Sequence, residues 1–378
     1  MKDNELLMIY GTDYKNMTKK ILEKSELADR IWDKAIRKGC TAKEITIGIK
    51  PNLVSPSEAS YGATTHPEIV AGIIEYLQER EYKNIVILEG SWVGDKTAEA
   101  VKVCGYDRLT AQYDVEFWDM QKDESHEMDC AGMKLQICNS VDKIDFLINV
   151  PVLKGHCQTK ITCALKNMKG LIPNIEKRHF HKMGLHKPIA HLGIGIYQDF
   201  IVVDNICGDL DFEDGGNPVI MNRIITAADP VLCDTFVCEM LHYRKDEIPY
   251  LEMAEKLGVG CTDLKKARIT EINHPDSWNA DIPKERKIVA LEDAVEEVES
   301  CSACYGYLIP ALEKLRQEGI LNRLHEKIAI GQGYRGKSGE LGVGSCTCRF
   351  KHFIKGCPPT ETEIYEFLKR YIDIKNEI

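Results

Sequence analysis

The chain contains no apolar run approaching the about 18 uninterrupted residues that a membrane-crossing helix requires. Its opening, MKDNELLMIYGTDY, has no apolar stretch long enough for a secretory leader. A cytoplasmic protein with no membrane partner is expected. There is no basic excess either: 49 Lys and Arg stand against 59 Asp and Glu, a formal net charge of −10. Neutralising phosphates needs a basic face, so a nucleic-acid partner is not expected. Internal repeats, coiled-coil heptads and low-complexity tracts are missing too. What remains is a globular composition, 44% hydrophobic and 29% charged, long enough at 378 residues for two or three cores.

The pattern along the chain alternates strands with helices. ITIGIKPNLV (45–54), NIVILEG (84–90), DVEFWDM (114–120), KLQICN (134–139) and KIDFLINVPVL (143–153) read as strands. THPEIVAGIIEYLQER (65–80) reads as a helix that Thr65 can cap and Pro67 can start, and DKTAEAVKVCGY (95–106) as a helix ending near Gly105. The class is α/β, with a mostly parallel sheet layered with helices. Ligands of such sheets bind beyond the carboxyl ends of the strands, which points to the loops after Lys50, Glu89 and Val150. IITAADPVLCDTFVCEML (224–241) resumes the strand-then-helix pattern. A boundary near 295 divides an α/β domain, 1–295, from a small C-terminal α/β segment, 296–378. That segment should hold a helix at 307–325, strands at 327–334 and 340–344, and a closing helix at 360–373.

Fifteen cysteines are many for a reducing compartment, where disulfides are rare, and are easier to keep in an anaerobe. Cys104, Cys138, Cys163, Cys233 and Cys238 lie among apolar residues and read as buried thiols packing as small hydrophobes. The tail is different. CSAC brings Cys301 and Cys304 together, GSCTC supplies Cys346 and Cys348, and KGCPP supplies Cys357. Glycine beside a ligand lets backbone approach a bulky centre, and the prolines stiffen the exit. Four thiolates from two segments suit an iron–sulfur cluster or zinc. Two matched CxxC knuckles, the usual zinc ribbon, are absent, and a redox disulfide is the remaining alternative. Of the surplus pair, Cys346, which follows Gly344 and Ser345, is favoured over Cys348 as the ligand.

Residues 154–191 gather Lys154, His156, Lys166, Asn167, His179, His181, His186 and His191 just after a buried strand. Imidazole titrates near neutrality and burial can bring lysine there, so Lys154, His156, Lys166 and His181 are candidates for proton transfer. Asp204, Asp229 and Asp234 are placed to orient such bases, whereas Asp209, Asp211 and Asp214 read as a solvated loop. EGSWVGDKT (89–97) is not a nucleotide P-loop, because three residues rather than four separate Gly90 from Gly94 and Asp95 precedes Lys96. A glycine-rich turn at Gly90 and Gly94, with Lys50 and Asn52 at the neighbouring strand end, can still hold an anion or carboxylate.

KPNLV, THPEIV, VPVLKGH, TCALKNMKGLIP, DNICGD and AADPVLCD, in this order over roughly residues 45–265, resemble the family catalogued as domain of unknown function 362. Many of its members carry ferredoxin-type segments, and its biochemical role is poorly defined. The tail resembles a segment of some members, and the resemblance implies a 4Fe-4S cluster on Cys301, Cys304, Cys346 and Cys357. It departs from the ferredoxin pattern of closely packed C-x2-C-x2-C. Three functions follow as expectations. The first is an iron–sulfur oxidoreductase with a small-molecule, anionic substrate and a redox partner such as ferredoxin or flavodoxin. The second is a non-redox isomerase or hydro-lyase, its metal structural or Lewis-acidic; the third is an accessory protein delivering electrons or a cluster. Self-association into a homo-oligomer is left open by the composition.

Overall fold

A computed structural model of the chain describes residues 1–41, 43–213, 215–274, 282 and 287–376. It divides into two compact units. The first comprises Met1–Arg178 and His186–Ile282, the second His179–Leu185 and Pro283–Ile378.

The first unit begins with β1 (Glu5–Tyr10), and two helices lead to β2 (Ile47–Pro51). The helix Pro67–Gln78 crosses to β3 (Ile85–Glu89), and two short helices cross to β4 (Glu116–Asp119). A hairpin of β5 (Ser125–Cys130) and β6 (Met133–Cys138) precedes β7 (Phe146–Val150), and a small ladder of β8 (Lys154–His156) and β9 (Lys160–Thr162) follows it. The long strands β10 (Phe200–Asp209) and β11 (Pro218–Ala227) and the edge strand β12 (Arg268–Glu271) complete the unit. The main sheet runs β12-β1-β11-β10-β7-β2-β3-β4, and only β11 opposes its neighbours. The sequence-based expectation of an α/β fold with a mostly parallel sheet therefore holds.

Alternation along the central strands builds the two layers. Ile47 and Ile49, Ile85 and Ile87, and Phe146, Ile148 and Val150 enter one core with the helices Tyr14–Lys24, Leu27–Lys38 and Pro67–Gln78. The intervening residues face the opposite side, where Asn149 Nδ2 donates to Ala164 O at the start of a short helix, Ala164–Asn167. After β2 the chain moves outward through β3 and β4, and β7 returns on the other side of β2 and leads to β10. The strand order thus reverses between β2 and β7, the place in such sheets beyond whose carboxyl ends ligands bind.

Four local readings are corrected. KLQICN does form a strand, but it pairs antiparallel with β5 in a hairpin outside the main sheet, because a two-residue turn at Ala131-Gly132 closes it locally. His66, not Thr65, stands at the helix N-cap; the Thr65 hydroxyl is already committed to Asn52 N and Val150 O. The loop after β10 is not all solvated: Asp209 is fully buried and accepts from the amides of Asp211, Phe212 and Asn217, while Asp214 lies outside the described residues. The helix expected at 307–325 runs from Ser302 to Gln317, so the CSAC residues form its cap and first turn.

In the second unit, β13 (Val295–Glu297), β14 (Ile328–Ile330), β15 (Leu341–Val343) and β16 (His352–Ile354) form a parallel four-stranded sheet in chain order. The helices Ser302–Gln317 and Glu361–Asn376 belong to the same unit.

One glycine of the first unit tests this packing. A Cβ on Gly155, between Lys154 and His156, would overlap the carbonyl of Leu210 and lie 2.7 Å from Asp211 N. Backbone cannot yield as a flexible side chain can. Gly155→Ala should destabilise the protein by about 2–3 kcal/mol, read as a lowered urea midpoint with unchanged slope.

Candidate functional site

Lys50, next to last in β2, has 1% of its surface exposed, and Glu89, which ends β3, has 3%. The two side chains meet as an ion pair, although the register, Ile49 against Ile87, sets Lys50 level with Leu88. Burial pushes the Lys50 amine down and the Glu89 carboxyl up, and their mutual attraction opposes both shifts. Lys50 Nζ also donates to Asn167 Oδ1 (2.9 Å), which Asn52 Nδ2 shares at 3.0 Å. Asn167 in turn donates to Asn149 Oδ1 at 2.7 Å. The segment Met168–Leu171 lies directly on the pair. A Cβ at Gly170 would come within 2.5–2.6 Å of both Glu89 oxygens and of Lys50 Nζ, so glycine is required there.

Lys177 reaches the same place from the helix Asn174–Met183, donating to Gly90 O (2.7 Å) and Ser91 O (2.8 Å). Burial brings its amine down to about 8, with Glu89 opposing the fall and Lys50 adding to it. A Cβ on Gly90 would sit 2.9 Å from that amine, so this glycine makes room for a lysine. The turn itself is self-satisfied. Ser91 N donates to Thr97 Oγ1, Trp92 N to Val54 O, Asp95 N to Trp92 O and Thr97 N to Gln121 Oε1. Gly94 packs under the Trp92 ring. The expected anion cradle of turn amides at Gly90 and Gly94 thus has at least four of its N–H groups spoken for, and the cations lie beside the turn instead.

A second polar group centres on Glu213. Its carboxylate faces His156 Nε2 at 2.8 Å and Lys166 Nζ at 2.9 Å, and its backbone carbonyl accepts from Lys154 Nζ at 2.7 Å. Burial would raise the Glu213 carboxyl, but His156 and Lys166 outweigh it and hold the group well below the usual carboxylate range. His156 Nδ1 accepts from the amides of Gln158 and Thr159, both at 3.0 Å, so the ring hydrogen sits on Nε2, toward Glu213. Burial takes His156 down to about 4, against the pull of Glu213. As placed, it is a neutral donor that fixes a carboxylate. Lys154 Nζ binds Ala63 O (2.6 Å) as well, strapping two loops together.

Lys169 links the two groups. Part of its side chain meets solvent, yet burial, and then the charge of Lys166, bring its amine down to about 7, with Glu213 opposing and Lys177 adding to the fall. The switch point therefore carries five lysines, 50, 154, 166, 169 and 177, against two carboxylates, Glu89 and Glu213. The chemistry of that set is to bind an anion and to give or take a proton near neutral pH.

The remaining sequence candidates disperse. His179 and His181 belong to the second unit, His191 binds Cys130 O at 2.7 Å, and His186 stacks on Tyr250. Asp229 caps the helix Pro230–Met240, and Asp234 accepts from the amides of Ala164 and Leu165. Asp204 does hold an imidazole, but that of His66 (2.8 Å) rather than any of the crowded histidines. Glu213, Lys169, Lys177, Gly170 and His66 were not singled out from sequence. TCALKNMKGLIP carried a signal for two of them, since a lysine and a glycine inside a buried apolar run need a partner and a reason.

In the second unit, Cys301 caps the helix Ser302–Gln317 and Cys304 lies in its first turn. Gly344, at φ +89, carries the chain to Cys346, and its ideal Cβ position is 3.7 Å from Cys304 Sγ. Burial pushes the Cys304 thiol up to about 12, and Cys301, Cys357 and Cys346 add to the rise. Gln332 Nε2 donates to Cys301 Sγ (3.5 Å) and to Lys182 O (2.7 Å), and Arg335 pairs with Cys346. Cys348 is exposed. Among the described residues, the only trio of metal-capable groups with donor atoms all within 4.8 Å of one another is Cys163, Cys233 and Asp234, in the first unit. The four tail sulfurs act electrostatically on one another, but no three of them lie all within 4.8 Å.

The family described as domain of unknown function (DUF362) matches residues 47–239, just over half of the chain. The chain belongs to the DUF362 family. A curated relative, the thylakoid-associated protein sll1697 of Synechocystis sp. (strain ATCC 27184 / PCC 6803 / Kazusa), is 24% identical over 252 residues, 61% of this chain and 74% of that protein. Among solved structures, the lactate racemase apoprotein from Thermoanaerobacterium thermosaccharolyticum is similar at 14% identity and a TM-score of 0.41, over 64% of this chain and 57% of that one. The matched region of this DUF362 chain contains the whole lysine site, from Lys50 to Glu213. No helix among the described residues is long and apolar enough to cross a membrane.

The sign of one pH effect follows from His156. Its ordinary value is 6.5 and its folded value about 4, so between these limits the unfolded chain binds the extra proton. Stability should rise with pH across that window and be lost as pH falls through it. His156→Gln keeps a donor toward Glu213 but does not titrate. Between pH 7.5 and 4.5 the variant should lose roughly 2 kcal/mol less than the native chain, measured from urea midpoints.

Proposed function

We propose that this DUF362 protein is an iron–sulfur enzyme acting on a small anionic molecule. The anion lies at the switch-point lysines of the first unit, and Cys301, Cys304, Cys346 and Cys357 of the second unit hold a 4Fe-4S cluster. The observation that carries the reading is the donor set of the tail. Four cysteines from two separate segments act on one another, with glycine at the approach, a donor set of the kind that holds an iron–sulfur cluster. When bound, such a cluster supplies one-electron transfer, exchanged with a carrier such as ferredoxin or flavodoxin.

The chain's own residues do the rest. Lys166 and Lys177 are fixed by their partners and present positive charge to the anion. The Lys50–Glu89 pair keeps the floor of the site rigid, and His156 holds Glu213 against Lys166. Lys169, near 7, is the group that can hold or release a proton at its Nζ as the substrate changes charge. A non-redox isomerase or hydro-lyase is the second reading, favoured by this poised amine, which proton transfer needs whether or not an electron moves.

Two experiments test these readings separately. Protein purified without oxygen should be brown, with about four irons and four sulfides per chain and a visible band that dithionite bleaches. Cys304→Ser and Cys357→Ser should lose most of the iron, while Cys348→Ser keeps it. Colourless protein with one zinc per chain would remove the redox reading. For the anion site, trinitrobenzenesulfonate at pH 7 should modify Lys169 about tenfold faster than Lys96, an exposed surface lysine. Phosphate should slow that labelling, because a bound anion favours the charged amine. Equal rates, or no effect of phosphate, would remove the anion site whatever the tail binds.

A further inference from the structure

Outside the lysine site, the first unit carries a second group of chemically competent side chains. Asp204 Oδ2 lies 2.8 Å from His66 Nδ1 and also accepts His66 N at 2.7 Å. The other ring nitrogen, His66 Nε2, lies 3.7 Å from Cys207 Sγ. Carboxylate, imidazole and thiol thus follow one another in line. Asp204 and Cys207 are three apart on β10, and an unbroken strand would send them to opposite faces. The ladder is broken at that place. Asn205 pairs with Arg223 and Cys207 with Ile220, so Met221 and Asn222 of β11 together oppose Ile206, and Asn222 has φ +47. Such a bulge increases local twist and re-aims side chains, and here both residues reach one histidine. The same Asn222 accepts the Tyr14 hydroxyl at 2.8 Å, and the Tyr14 ring stands edge-on to His66 at 5.6 Å.

The group lies just below the surface: His66 is 8% exposed and Cys207 6%, and the sulfur lies 3.5 Å from Ala59 O and 3.9 Å from the carbonyl of exposed Ser60. We propose that Cys207, His66 and Asp204 form a nucleophilic triad that takes an acyl group from an activated carboxylic ester or thioester. The roles are those of thiol acyl transfer. The Sγ–C bond forms as the thiol proton resides on His66 Nε2. The C–O or C–S bond to the leaving group then breaks, and the Nε2 proton passes to the departing atom. Water, deprotonated by His66, next attacks the thioester; the carboxylic acid leaves and the proton returns to sulfur. Asp204 fixes the ring and stabilises its charge throughout. Burial alone would lower His66, but the charge and hydrogen bond of Asp204 outweigh it and raise the imidazole to about 10. The other titratable side chains acting here are Tyr14 and Glu68.

The test uses the full chain. With p-nitrophenyl acetate, a burst of nitrophenolate near one equivalent should accompany an acetyl group mapped to Cys207 by mass spectrometry. Cys207→Ala should abolish the burst without changing phosphate protection of Lys169. His66→Asn should slow acetylation at least 100-fold, provided its melting curve matches that of the native chain. The native protein supplies a measure independent of folding in that variant. Iodoacetamide should alkylate Cys207 faster than the more accessible Cys40, because activation outweighs access. Acetylation elsewhere, an unslowed His66→Asn variant, or Cys207 alkylated more slowly than Cys40 would overturn the triad.

Discussion

An amine moved from water into a protein interior loses hydration that only specific partners can replace, and the carboxyl edge of this sheet is arranged around that constraint. Lys50 lies near the end of a strand whose other residues are apolar, so it needs a carboxylate, and Glu89 at the end of the next strand supplies it. Once that pair is buried, the remaining valences of the lysine call for Asn167. Backbone must pass close above the pair to seal it, which only Gly170 permits. The turn after β3 turns its carbonyls toward Lys177 for the same reason. A single embedded charge thus explains an asparagine, two glycines and a second lysine.

The fold was largely legible because the central strands are short apolar runs and the crossover helices carry ordinary caps. IGIK, IVILE and FLINV could hardly be anything but interior strands, and Pro67 opens its helix where the sequence puts it. What pairing a strand makes is less visible. KLQIC looks as suited to the main sheet as DVEFW, and only the tight turn before it decides for a hairpin. The long β10–β11 ladder is similarly concealed, because its register depends on a bulge that no local pattern announces.

The site was legible in its materials but not in its assignments. Lys50, Asn52, Lys154, His156 and Lys166 do converge near the sheet edge, since they sit on or just beyond strand ends. The histidines between 179 and 191 divide between the two units, and His186 and His191 of the first take separate partners, Tyr250 and Cys130 O. Partners contributed from far along the chain were invisible: Glu213 meets His156 across 57 positions, and Asp204 meets His66 across 138. Burial also changes what a residue type means. His156 was the natural choice for a base, yet two amides occupy one nitrogen and a carboxylate the other, while the less conspicuous Lys169 sits where its charge is marginal.

The stretch His179–Leu185 belongs to the second unit although it lies in the middle of the first, and the carbonyl of Lys182 holds the glutamine that touches Cys301. The cysteine-rich tail is therefore not a cassette. A gene fusion that appended residues from 283 onward to another protein would leave behind a strip of its own wall, and a truncation ending near 282 would strand that strip without its neighbours. Either unit could be moved whole only by cutting the chain on both sides of that stretch.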